Sequence, residues 1–131
     1  MRVFADTSAL FAVVDGEDQR HAEAATRFRA FREHNAQLVT HNYVIVELIA
    51  LLHRRLGRAA AVQSIDGLLA PMETRWVTPS LHSEAMAAYR AGTEDASLVD
   101  QMSFAVMRTE QLTTAFAFDH DFGRAGFQTV P

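Results

Sequence analysis

The chain has 131 residues, 49% of them apolar and 21% charged, with a net charge of −4 and no cysteine. That length buries a real core, so intrinsic disorder, a disulfide-held scaffold and a thiolate zinc site are all excluded. All twelve basic residues are arginine and none is lysine, which removes enzymes that depend on a lysine and leaves the bidentate cation suited to phosphate.

In chain order, "RVFA" (2–5) predicts a short buried strand, and "TSALFAVVD" (7–15) a helix capped by Thr7 or Ser8 and broken at Gly16. Residues 18–34 have helical periodicity, with Ala22, Ala25, Phe28 and Phe31 inward and Arg20, Arg27, Arg29 and Arg32 on the solvated faces. "QLVT" (37–40) predicts a second strand, and 41–57 a helix capped by Thr40 or Asn42 and ended by Gly57. A helix over 58–69, a strand at 74–78, a helix over 80–90, a polar loop at 91–97 and a helix over 98–110 follow. The strands "TTAFAF" (113–118) and "FQTV" (127–130) complete the chain.

Strands alternating with helices predict one α/β domain over 1–131, three layers deep, around a mainly parallel sheet of about five strands. No internal repeat, linker or low-complexity segment interrupts it. The N-terminus lacks the basic start and cleavage site of a signal peptide, and no apolar run approaches the ~18 residues of a membrane span. A soluble, cytoplasmic protein is therefore expected.

Most of the sixteen acidic residues keep polar company, but four do not. Asp6 follows "VFA", Glu47 is the only charge in "YVIVELIALL", Asp100 is the only charge in "SLVDQMSFAVM", and Asp119 ends "TAFAF". Helical spacing puts Glu47 on a largely apolar face, pointing inward or into a cleft. Each has an ordinary alternative: Asp6 as a helix-dipole acid, Glu47 as a salt-bridged core acid, Asp100 closing a capping box with Ser97, Asp119 ending a strand in a turn. Asp6 and Asp119 each follow a strand, and in parallel sheets ligands bind at the strands' carboxyl ends, so the two are expected to be neighbours. Carboxylates converging there repel, and a divalent cation relieves them. Oxygen ligands without cysteine favour magnesium or manganese, and such an ion with open positions implies phosphate chemistry.

These residues resemble those of the PIN-domain nucleases and, within them, the VapC-type toxins of toxin–antitoxin modules. The opening strand with D-[TS]-S is seen in "VFADTSAL", the helix glutamate in "THNYVIVEL", the third acid in "SLVDQMSF" and the closing motif in "FAFDHDF", so the likeness spans nearly the whole chain. The resemblance implies that Asp6, Glu47, Asp100 and Asp119 are catalytic, metal-binding acids, with Ser8 as a hydroxyl support and Asp121 as an auxiliary. A threonine common in the family two residues before the last acid is replaced by Ala117. The resemblance further implies a magnesium- or manganese-dependent endoribonuclease acting on single-stranded or loop RNA. Water would attack the phosphodiester in line, leaving 5′-phosphate and 3′-hydroxyl ends. A homodimer and a cognate VapB-like antitoxin are the implied protein partners.

Arg54, Arg55 and Arg58 at the end of the Glu47 helix are candidates for RNA phosphate as well as for the helix dipole. His41 and His120 flank the acids in sequence, and Trp76, on a strand, is expected in the core or an interface. The competing readings are a PIN nuclease of RNA processing outside a toxin module, and a PIN-like module that binds RNA or protein without cutting. A receiver domain or a haloacid-dehalogenase-type phosphatase needs the lysine this chain lacks.

Overall fold

Val3, Phe4 and Ala5 are all fully buried, which consecutive strand residues achieve only when both faces of their sheet are covered. The computed structural model describes residues 1–130; the last residue of the expected 1–131 domain lies outside the described residues. The strands β1 (Arg2–Ala5), β2 (Gln37–His41), β3 (Glu73–Arg75), β4 (Thr114–Phe116) and β5 (Gln128–Val130) form one sheet in the order β3-β2-β1-β4-β5. Every pairing is parallel, with Phe4 opposite Val39 on one side and Ala115 on the other.

Helices α1 (Thr7–Val14), α2 (His21–Glu33), α3 (Asn42–Leu56) and α4 (Arg58–Gln63) carry the chain from β1 to β3, and α5 (Pro79–Ala91), α6 (Leu98–Thr109) and α7 (Asp121–Arg124) carry it on to β5. Right-handed crossovers put the two groups on opposite faces of the sheet. Aromatic contacts agree: Phe31 of α2 meets Phe116 edge-on at 5.3 Å, whereas Phe122 of α7 stacks on Phe4 at 6.0 Å and meets Phe104 of α6 at 5.1 Å. The three-layer α/β arrangement is the one expected.

Several local expectations need correction. The helix expected over 58–69 ends at Gln63 and continues as a π-helical segment, Ser64–Leu69, whose Ser64 hydroxyl donates to the Ala60 carbonyl at 2.9 Å. The cap of α3 is neither Thr40 nor Asn42 but His41, whose Nδ1 accepts from the Tyr43 and Val44 amides at 3.2 and 3.3 Å. The edge strand β3 stops at Arg75, so Trp76 leaves the ladder and stays 73% exposed instead of entering the core. The short helix α7 was not foreseen.

Candidate metal and catalytic centre

The sheet order reverses direction between β1 and β4, and at that switch point the two strands end side by side, with Ala5 opposite Phe116. The Asp6 amide continues the pairing by donating to the Phe116 carbonyl at 3.0 Å. Asp6 and Asp119 therefore emerge together, as expected.

Asp6 is the N-cap of α1 and is almost fully buried; its Oδ2 accepts from the Ser8 amide at 3.2 Å and from the Ser8 hydroxyl at 2.6 Å. The same hydroxyl accepts from the Phe118 amide at 3.1 Å, so Ser8 ties the Asp6 carboxylate to the loop that carries Asp119. Beside it the Thr7 hydroxyl is buried without a hydrogen-bond partner among the described residues. Burial pushes the Asp6 carboxyl up to about 6; the Ser8 bonds oppose that rise, and the charges of Asp119 and Glu47 add to it.

Asp100 does two things at once. Its Oδ2 accepts from the Ser97 amide while its own amide donates to the Ser97 hydroxyl, both at 3.1 Å, so the capping box forms. The carboxylate is nevertheless buried within reach of Asp6 and Asp119. Desolvation, those two charges and a hydrogen bond to Asp119 raise it to about 7, against the lowering effect of the Ser97 amide. Capping and membership of the acidic site are not alternatives, because Oδ1 is left over once Oδ2 has closed the box.

Asp119 Oδ1 accepts from the Asp121 amide at 2.9 Å, a turn that folds the two carboxylates of "DHD" toward each other. Carboxylate oxygens of Asp100, Asp119 and Asp121 lie within 4.8 Å of one another. This set of hard oxygens fits a divalent cation: ligand oxygens at 2.0–2.6 Å from one ion are spaced no more widely, and two of the four interacting aspartates are already resisting ionisation.

The structure thus joins Asp6, Asp100, Asp119 and Asp121. Asp121, which the sequence left as an auxiliary, stands inside the cluster, and the D-x-D spacing after a strand was the signal for it. Of the two expectations for Glu47, inward or into a cleft, the exposure of the residue sets aside the first; its charge contributes to the field at Asp6 from the rim of the site. Arg54 and Arg55, in the last turn of α3, and Arg58, the first residue of α4, are exposed, and the Arg55 guanidinium lies 6.0 Å over the Phe11 ring of α1. The Arg20 guanidinium lies 4.2 Å over the ring of Phe118, the neighbour of Asp119 in sequence, and pairs with Glu23 at 3.1 Å. Ala117 is buried and offers no hydroxyl.

A family model for the PIN domain matches residues 3–128. The chain belongs to the PIN-domain family. This PIN domain is 36% identical over 130 residues to the protein named 23S rRNA-specific endonuclease VapC20 of Mycobacterium tuberculosis, covering 98% of this chain and 97% of that one. The crystal structure of Mycobacterium tuberculosis VapC20, described as a sarcin–ricin loop cleaving toxin, superposes with a TM-score of 0.83 at 35% identity and 95% coverage of both chains. VapBC2 of Rickettsia felis, solved with a DNA fragment from its promoter, matches with a TM-score of 0.72 over 98% of this chain and 97% of that one. At 11% identity that second likeness is one of fold.

The Ser8 bridge gives a direct prediction. Ser8→Ala removes the hydroxyl donor to Asp6 and the acceptor of the Phe118 amide. It is expected to cost about 1–2 kcal/mol of stability and to weaken the stabilisation of the fold by added magnesium or manganese, both read from thermal melts. Metal stabilisation equal to that of wild type would leave the bridge without a part in the site.

Proposed function

We propose that this PIN domain is a divalent-metal-dependent endoribonuclease of the VapC kind, acting as a single cytoplasmic domain over 1–131 and held in check by a cognate VapB-like antitoxin. The observation that carries the proposal is the convergence of Asp6, Asp100, Asp119 and Asp121 at the switch point of a parallel sheet. No helix of the described residues is long and apolar enough to cross a membrane.

Asp100, Asp119 and Asp121 would hold the ion, with Asp6 facing it from the neighbouring strand and Glu47 at the rim. Magnesium or manganese bound there supplies positive charge to the scissile phosphate and lowers the pKa of water. The chain's own residues supply position. Ser8 fixes the Asp6 carboxylate, the Ser97 capping box fixes Asp100, and the Asp121 amide fixes Asp119. Asp6, held by Ser8 and outside the three residues that would hold the ion, is the carboxylate placed to accept a proton from attacking water. Arg20, stacked on Phe118, joins Arg54, Arg55 and Arg58 as a candidate for the incoming phosphate chain.

Two further features support the assembly. Leu56, Val62 and Ile65 leave apolar surface exposed along α3, α4 and the π-helical segment, suited to an amphipathic antitoxin segment, and the VapC likeness favours a homodimer. Because the near-full-length relative is named for 23S rRNA, loops of large-subunit ribosomal RNA are the first substrates to try.

The test is incubation of purified, antitoxin-free protein with single-stranded and structured RNAs in magnesium or manganese, beside an EDTA control and Asp6→Asn. Metal-dependent cutting that the variant loses by about a thousandfold is the expected result. Absence of cutting by folded protein across that set would favour a PIN module that binds RNA without cleaving it.

A further inference from the structure

Next to Asp121, on the α6–α7 side of the acids, lies a cleft of ≈ 310 Å³ lined by Gln101, Phe104, Arg108, Arg124 and Glu94 as well as Asp121 itself. Its volume falls at the lower end of ligand clefts. Gln101 is only 8% exposed, yet its side-chain amide has no hydrogen-bond partner among the described residues. The amide keeps access to the cleft, so its donor and its acceptor are both free to meet whatever enters. Gln101 follows Asp100 directly on α6, which ties the cleft to the acidic centre by one peptide.

The surroundings specify the occupant's chemistry. Arg108 lies 5.7 Å over the Phe127 ring and has no carboxylate partner among the described residues, so its guanidinium edge is available. Arg124 reaches Asp121 at 3.0 Å and is otherwise exposed. Phe104 forms an apolar wall, and Glu94 at the rim is occupied by the Thr93 amide at 3.0 Å. Two guanidinium groups select phosphate, and an amide that both donates and accepts selects the edge of a nucleobase. An acidic peptide would also pair that amide through its backbone, so it is the cleft's place beside the acids proposed to cut RNA that favours a nucleotide.

We propose that this cleft binds one unpaired nucleotide of the RNA next to the scissile phosphate, with Arg108 and Arg124 on its phosphates and Gln101 on its base. The proposal rests on the nuclease reading above and supplies what the acids alone lack, a preference for one base at one position beside the cut. Splaying a base into such a cleft is open to single strands and loops and closed to a continuous duplex.

The experiment maps cut sites in a pool of single-stranded RNAs randomised around the scissile bond, and in parallel measures binding of the same pool in EDTA. It compares wild type with Gln101→Leu, Gln101→Glu and Arg108→Gln, each checked for folding by thermal melt. Wild type is expected to prefer one base at one flanking position. Gln101→Leu flattens that preference and lowers kcat/KM for the preferred RNA about 10- to 100-fold. Gln101→Glu, which exchanges a donor for an acceptor, moves the preference to a different base, an effect that lost packing cannot produce. Arg108→Gln weakens binding to all sequences and reduces the salt slope of binding by about 0.7. Equal preferences in wild type and both Gln101 variants, with cutting intact, would overturn the nucleotide site while leaving the nuclease standing. If those variants instead lost only inhibition by the antitoxin, the cleft would belong to a protein partner and the proposal would be wrong. Wild type that binds with a Gln101-dependent preference but never cuts would uphold the cleft and fail the nuclease.

Discussion

Asp100→Asn is expected to silence RNA cutting and, at pH 7.5 without divalent metal, to raise the melting temperature by about 5 °C. The reason lies in the direction of two pKa shifts. Asp100 rises to about 7 and Asp6 to about 6 in the folded chain, both above the ordinary carboxylate value of 3.8. A group whose folded pKa is raised contributes stability that is complete below its unfolded pKa and is lost as pH climbs through the folded one. The metal-free protein should therefore lose stability between about pH 4 and pH 7 on account of these acids, by about 1–3 kcal/mol for Asp100. Asparagine keeps an oxygen for the Ser97 amide and removes the charge, so the variant escapes that loss. Millimolar magnesium or manganese should reverse the order, stabilising wild type by mass action while leaving the variant nearly unchanged. Melts across pH 4–8, with and without metal, read both effects. A variant less stable than wild type in EDTA at pH 7.5 would mean that Asp100 is chiefly a helix cap.

His41→Ala should be the most damaging single change in the polar interior, lowering stability by about 3–5 kcal/mol. The imidazole is fully buried, stacked 5.8 Å from the Phe4 ring. Because Nδ1 accepts from two α3 amides, the proton sits on Nε2, which donates to the Ser103 hydroxyl at 2.8 Å; that hydroxyl donates to the Val99 carbonyl at 3.0 Å. One ring thus holds the start of the Glu47 helix, the end of β2 and the helix that bears Asp100 in a fixed relation. Alanine leaves a cavity and two uncapped amides. Burial lowers the His41 pKa from 6.5 to about 4, so its contribution is complete above pH 6.5 and is lost as pH falls from there toward 4. Chemical denaturation at pH 8 measures the first effect. The second is read with His41→Gln, whose stability should fall less between pH 6.5 and pH 4.5 than that of wild type; equal acid sensitivity would remove His41 as its source.

The His41 cap also marks where the sequence stopped being legible. Thr40 and Asn42 are better N-cap residues by propensity, but Thr40 is committed to the Ala5 carbonyl at 3.0 Å and Asn42 to the Val77 amide at 2.7 Å. Both commitments are long-range, so no local pattern announces them. Glu47 shows the same limit in the other direction. Its neighbours are apolar, yet periodicity gives only which residues share a face, and the face that carries Glu47 is left open to solvent at the rim of the site. Trp76 was read as a strand residue and proved exposed because the edge strand is three residues long.

The sequence by itself determined the order of strands and helices, α7 excepted, and the chemistry of the acids, because period-2 and period-3.6 patterning and a charge in apolar company are local signals. It also put Asp6 and Asp119 beyond the carboxyl ends of strands; β4 stops at Phe116 instead of running to 118, and its parallel pairing with β1 makes the two acids neighbours. Only the tertiary structure decided that Asp121 joins Asp100 and Asp119 and that Glu47 stands at the rim. It alone shows Arg55 turned over the Phe11 ring and Gln101 lining the cleft beside Asp121. Those are distances between elements remote in the chain, fixed by the packing of α3, α6 and α7 around the sheet, and no spacing along the sequence encodes them.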